Sequence, residues 1–197
     1  MSYPNAPLIL LAAGESKRMG TPKQLLFYRG TSLIRHAATV AITSQCNPII
    51  VVLGANSDRI LPELNNLPVH ICQNPDWKTG MSSSICLGIK TLMTIQSDIA
   101  AVIVALADQP LITATVYNQL IERYLKTKQK AVASIYADTI GVPALFDRLL
   151  FPELLQTKHQ GGAKQLLNKY SNRAFNLNVP EAAMDIDTPT DYQQLLK

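Results

Sequence analysis

Four segments of this chain carry side chains whose types and spacing could do chemistry. The first is Leu10-Leu11-Ala12-Ala13-Gly14-Glu15-Ser16-Lys17-Arg18-Met19-Gly20-Thr21-Pro22-Lys23. An apolar run leads into a loop of small residues, where backbone N–H groups can approach and cradle phosphate oxygens. Arg18 adds a bidentate donor and Lys23 a mobile point charge, a division of labour suited to a triphosphate. The loop is neither a Walker A loop, which ends in Gly-Lys-Ser/Thr, nor a GxGxxG fingerprint. Taken alone, it also reads as a solvated basic loop. The second segment, Ala107-Asp108-Gln109-Pro110, follows the strongest apolar run. A carboxylate there can hold Mg²⁺ against phosphate oxygens, a hard ion on hard ligands, although an isolated Asp-x-Pro is equally a turn.

The third segment, Asp185-Ile186-Asp187-Thr188-Pro189, places two more carboxylates before a helix. Asp187 is the candidate second metal ligand, with Asp185 the alternative. Thr188, Pro189 and Asp191 would start a helix whatever the function. The fourth, Asn74-Pro75-Asp76-Trp77-Lys78-Thr79-Gly80-Met81-Ser82-Ser83-Ser84, offers a glycine for a tight backbone. Its serines could cap the next helix or bond a ribose or base edge. Trp77 reads as packing or as part of the site.

The elements around these segments alternate. Leu8–Leu11, Ile49–Leu53, Val69–Cys72, Ala101–Leu106 and Ala131–Ile135 are continuous and β-branched, the pattern of parallel strands buried on both faces. Helices are expected from Thr31 or Ser32 to Thr43, from a Ser57 cap to Pro62, from Ser82 to Ile95 and from Thr113 to Lys126. Beyond Ile135 come a Gly141-Val142-Pro143 turn, a helix over Gly162 to Tyr170, a short strand over Phe175–Val179 and a last helix capped by Thr188. This order predicts a three-layer α/β/α, Rossmann-like fold with a mostly parallel sheet, as a single domain over 1–197. Ligands of such sheets bind beyond the C-terminal strand ends, where the loop segments fall.

Apolar residues make up 47% of the 197 and charged residues 16%, so the chain is globular. The net charge of +4 is dispersed and forms no block suited to nucleic acid or an anionic membrane. Cys46, Cys72 and Cys86 have no CxxC spacing and read as reduced thiols. The apolar run Leu8 to Ala13 is short for a signal segment, and no stretch is long enough to span a bilayer, so the cytoplasm is expected.

Together, in this order, the segments resemble the MobA-like NTP-transferase family, most closely its molybdenum cofactor cytidylyltransferase branch. The opening matches the family pattern L-A-[AG]-G-x-S-x-R-M-G-x-P-K-x-L-L without a gap from Leu11 to Leu26. Ala12-Ala13-Gly14 stands where guanylyl-transferring relatives usually have Ala-Gly-Gly. The resemblance implies that Gly14, Arg18 and Lys23 bind the triphosphate and that Ala12 and Ser84 lie near base and ribose. Leu11, Ala13 and Gly80 complete the nucleotide site. Asp108, with Asp187, would hold Mg²⁺. The family's acceptor segment usually reads Gly-Asp-x-Gly-Ala-Arg; here it is Gln160-Gly161-Gly162-Ala163-Lys164 preceded by Lys158 and His159.

The implied reaction moves CMP from CTP onto the phosphate of molybdopterin, releasing pyrophosphate, with transient contact to a molybdoenzyme or its chaperone. An ionised acceptor phosphate needs no protein base, so His36, His70 and His159 have no assigned role, and His36 is expected to pack on its helix. The rivals are a guanylyltransferase, a transferase using a sugar phosphate or another small phosphate, and a non-catalytic nucleotide or cofactor chaperone.

Overall fold

Consecutive residues of the first apolar run feed two different cores, which is what a strand covered on both faces requires. A computed structural model describes residues 6–156, 162–172 and 175–197. Its strands are β1 (Leu8–Ala12), β2 (Phe27–Tyr28), β3 (Thr31–Ser32), β4 (Ile49–Leu53), β5 (His70–Gln73), β6 (Ala101–Leu106), β7 (Ala131–Tyr136), β8 (Thr139–Asp147) and β9 (Leu177–Asn178). The helices are α1 (Leu33–Ile42), α2 (Ser57–Ile60), α3 (Met81–Ile95), α4 (Ala114–Thr127), α5 (Phe151–Gln156), α6 (Gly162–Tyr170) and α7 (Pro189–Leu195).

Seven strands form one sheet in the order β5-β4-β1-β6-β8-β7-β9. Leu8, Leu10, Ile103 and Ala105 face one side, packed on Ala37 and Ala41 of α1 and Tyr117 and Leu120 of α4. Ile9, Leu11, Val102 and Val104 face the other, packed on Ile85, Ile89 and Leu92 of α3 and on Leu154 and Leu167 beyond. The result is the expected three-layer α/β/α sandwich. A smaller cluster joins Tyr28 and Leu33 to Ile186, with Tyr192 and Leu195 of α7 against it.

From β1 the chain moves outward to β4 and β5, then crosses to β6 on the other side of β1. The strand order therefore reverses between β1 and β6, and a crevice opens at their C-terminal ends. The loop after β1 and Asp108 after β6 flank that crevice.

Several local expectations are corrected. Gly141-Val142-Pro143 is not a turn but lies inside β8, which pairs antiparallel with both β6 and β7. A register shift in β7 between Ala133 and Ser134 absorbs the irregular partner. The strand expected at Val69–Cys72 is shifted by one residue and is not buried on both faces, because it is the sheet edge: His70 and Gln73 are exposed. Ser57 is the first residue of α2 rather than its cap; Asn56 takes that place in the left-handed region. No serine caps α3, which begins after Gly80. The strand expected over Phe175–Val179 is two residues long. Ser32 and Thr188 cap their helices as expected. No described helix is long and apolar enough to cross a membrane.

Gly88 lets α3 lie close on β1, since a Cβ there would stand 2.6 Å from Ile9 Cγ2. Overpacking a core costs about 1–3 kcal/mol, against the ~1 kcal/mol of helix propensity that alanine gains over glycine. Gly88→Ala is expected to lower Tm by a few degrees in a thermal melt. A raised Tm would show that Ile9 repacks freely.

Candidate active site

Gln24 builds the loop after β1. It is buried, and its Nε2 donates to the carbonyls of Ala12 at 3.0 Å and Gly14 at 2.9 Å. Ser16 Oγ donates to its Oε1 at 3.3 Å and accepts from the Lys23 N–H at 3.1 Å. A trans peptide sets C=O and N–H in opposite directions, so the N–H groups of Ala13 and Glu15 are turned away from Gln24. Below the loop, Gly54 carries no side chain because a Cβ would stand 2.7 Å from both the Ala13 carbonyl oxygen and the Trp77 Cβ. Ala13 and Trp77 thus close over Gly54.

The Asn74 segment is held by its first residue. Asn74 Nδ2 donates to Ser83 Oγ at 2.8 Å and Ser84 Oγ at 2.9 Å, while its Oδ1 accepts from the Asp76 N–H at 3.0 Å. Gly80 adopts φ +113°, ψ 176°, a conformation that requires glycine. The segment therefore bends into the cleft with Trp77 on its wall and Lys78 over the Trp77 ring at 5.4 Å. Asn74 opens one of the segments read from sequence and Gln24 follows another directly, within the matched family pattern, but nothing in their spacing marked them as organisers.

Three distant parts of the chain converge on Lys23. Its Nζ lies 2.5 Å from Asp108 Oδ2 and 2.8 Å from Asp187 Oδ1. Arg18 Nη2 binds the other Asp187 oxygen at 2.6 Å. Lys23 is thus pinned, its side chain 13% exposed, where the sequence suggested a mobile charge. Burial alone would lower its pKa, but Asp108 and Asp187 outweigh that and hold the ammonium above the ordinary lysine value. The hydrogen bond from Lys23, with Arg18 beside it, holds the Asp187 carboxyl below the usual range.

The two readings of Asp187 prove compatible. Asp191 supplies the capping box with Thr188 and also accepts from the Asp187 N–H, leaving the Asp187 carboxylate to the cations. A backbone bond from Ile186 N to Asp108 O at 3.0 Å locks the two acidic segments together. Asp185 lies beside them; burial first, then the charge of Asp108, pushes its carboxyl up to about 6.

A divalent cation fits this donor set. Asp108 Oδ1 and Asp185 Oδ1 are buried with no hydrogen-bond partner, and every donor is a hard oxygen. Among the described residues no three His, Cys, Asp or Glu form a complete metal cage. That suits an ion held by one or two carboxylates together with substrate phosphates.

A cleft of about 350 Å³ lies between the loop and the Asn74 segment. Leu11, Ala12, Ala13, Gly14, Lys23, Gly80, Ser84 and Asp108 all line it, whereas Arg18 stands outside, at Asp187. A second cavity of about 410 Å³ adjoins it across Gly80, Met81 and Leu106, reaching Tyr136, Val142, Ala163 and Lys164. The expected acceptor segment reaches this cavity with Ala163 and Lys164, while Lys158, His159, Gln160 and Gly161 lie outside the described residues. His36 does not merely pack on its helix: its Nε2 meets the Pro110 carbonyl at 3.1 Å and its ring stands edge-on to Tyr28. All three cysteines are free, with only Cys46 fully buried.

The family model of the MobA-like NTP transferase domain matches residues 8–174, which span both flanks of the cleft. The chain belongs to this family. Within it, the chain is 33% identical over 95% of both lengths to nicotine blue oxidoreductase of Paenarthrobacter nicotinovorans. It is 22% identical to molybdenum cofactor cytidylyltransferase of Escherichia coli K12, covering 93% of this chain and 92% of that protein. Rv0371c of Mycobacterium tuberculosis H37Rv shares the fold, with a TM-score of 0.83, 25% identity and 99% of each chain covered. A second structure of Rv0371c, with a TM-score of 0.76, is a complex with manganese.

Because the Asp187 carboxyl is depressed on folding, its contribution to stability is full above its unfolded pKa of 3.8 and is lost as pH falls through the folded value. In metal-free protein, Asp187→Asn should melt below wild type at pH 7. The gap should close below pH 3.8. A gap independent of pH in thermal melts would show that Asp187 acts only through the start of α7.

Proposed function

We propose that this MobA-like protein is a magnesium-dependent cytoplasmic nucleotidyltransferase that moves CMP from CTP onto the phosphate of molybdopterin. The observation that carries the reading is the meeting of Lys23 with Asp108 and Asp187 at the mouth of the loop cleft. An acceptor phosphate oxygen forms a bond to the α-phosphorus while the bond to the β-phosphate oxygen breaks and pyrophosphate leaves. The acceptor is already ionised at neutral pH, so no protein group needs to remove a proton. The chain's task is positioning and charge neutralisation. The N–H groups that Gln24 turns outward, with Arg18, bind phosphate oxygens, and Lys23 neutralises charge that builds in the transition state. Mg²⁺, held by Asp108 together with Asp187 or Asp185, would supply further neutralisation when bound; the structure of Rv0371c in complex with manganese supports a divalent ion.

Cytosine is the proposed base because Ala13 and Trp77 close together over Gly54 and narrow the cleft. The ordering of CTP over GTP also follows the Ala12-Ala13-Gly14 sequence. The adjoining second cavity is the proposed acceptor site. A second reading, oxidoreduction, is favoured by the 33% likeness to nicotine blue oxidoreductase and by the apolar lining of that cavity.

One assay separates these readings. The protein is screened with each of four NTPs, Mg²⁺ and molybdopterin or sugar phosphates, following pyrophosphate release. CTP with molybdopterin should be fastest, with kcat/KM above that for GTP by about 10–200-fold, the scale of a small steric difference in a pocket. Ala13→Gly should narrow the ratio. Preference for GTP moves the chain to guanylyl transfer. Nucleotide binding with no pyrophosphate released by any pair contradicts transfer altogether and favours the oxidoreductase or a binding role.

A further inference from the structure

Among the described residues, Tyr136 is the one aromatic side chain on the wall of the second cavity. It ends β7, and the next two residues, Ala137 and Asp138, both take positive φ, 44° and 59°. A two-residue turn of this kind returns β8 directly alongside β7, so Tyr136 pairs with Thr139 and Gly141 follows two residues later on the same strand. A Cβ on Gly141 would collide with the Tyr136 hydroxyl and lie 2.9 Å from its Cζ. The ring therefore lies across the bare α-carbon of Gly141, and the missing side chain at 141 is what seats it. Ile140 and Val142 flank it on the same wall.

The far end of the same side chain faces the acidic segments. Burial first, then the charge of Asp185 and more weakly that of Asp108, holds its phenol above the ordinary tyrosine value, so the hydroxyl end lies on the side of the acidic segments. Gln109 is buried and fixed, its Nε2 donating to the carbonyls of Val142 at 3.3 Å and Ala182 at 2.9 Å. One side chain, seated on Gly141, thus reaches from the lining of the second cavity toward the acidic segments. Tyrosine is un-ionised at neutral pH, so its hydroxyl can donate to an anion arriving there.

We propose that Tyr136, seated by Gly141, is an acceptor-binding residue: its ring packs on the flat body of the acceptor and its O–H donates to the acceptor phosphate, setting the line of attack on the α-phosphorus. This rests on the nucleotidyl-transfer reading. It goes beyond that reading in assigning the acceptor's placement to one residue that takes no part in holding the nucleotide.

The test compares wild type, Tyr136→Phe, Tyr136→Leu, Gly141→Ala and the double variant Tyr136→Leu/Gly141→Ala. CMP transfer from CTP to molybdopterin gives kcat and the KM for each substrate, and calorimetry gives CTP affinity. Tyr136→Phe should lose about 10–100-fold in kcat/KM for the acceptor, the scale of a hydrogen bond to a charged group. CTP affinity should be unchanged. Gly141→Ala should produce a similar acceptor-side loss in wild type and none in the Tyr136→Leu background, because the displaced ring is then gone. The proposal is overturned if Tyr136→Phe transfers normally, if CTP affinity falls with acceptor KM, or if Gly141→Ala acts equally in both backgrounds. Wild type that binds CTP but transfers nothing to molybdopterin instead sinks the transfer reading, and this proposal with it.

Discussion

The site depends on one largely buried ammonium shared by two carboxylates. A lysine this enclosed stays charged only if its partners offset the lost hydration, and Asp108 and Asp187 do so from the middle and the far end of the sequence. Lys23 follows the loop after β1, Asp108 follows β6 and Asp187 precedes α7. The shared ion therefore ties together the two strands at which the sheet order reverses and closes the C-terminal segment over them. The backbone bond between Ile186 and Asp108 makes the same connection without charge. Packing of Ile186 with Tyr28 and Leu33 anchors it from the outer side.

Much of this was legible in the sequence because the physics was local. Unbroken β-branched runs can be satisfied only by burial on both faces, and β1, β4 and β6 obeyed that rule. Ser32 and Thr188 announced their helices because cap chemistry depends on neighbours three residues away. The loop, Asp108 and Asp187, each singled out in the sequence beside a turn or helix-start reading, come together around Lys23. What failed was set at long range. β8 carries Gly141 and Pro143, which read as a turn, yet Gly141 makes room for Tyr136 and the strand is held between its hairpin partner β7 and the distant β6. β5 looked like an interior strand, and only the sheet order makes it an edge. Gln24 and Asn74 act through hydrogen bonds to backbone and hydroxyl groups that no spacing rule foretells.

The family model's match over residues 8–174 takes in the lining of both cavities. The second cavity is lined in part by the β7–β8 hairpin and α6, with Tyr136, Ile140, Val142 and Leu167 on its wall.

The central claim is that Lys23 serves the transition state more than the bound nucleotide. Steady-state turnover and equilibrium CTP affinity of Lys23→Ala, measured side by side with wild type, address it most directly. The account predicts that turnover falls by about 10²-fold or more, the scale of losing one preorganised charge, while affinity falls by much less. Near-normal turnover in this variant would contradict it.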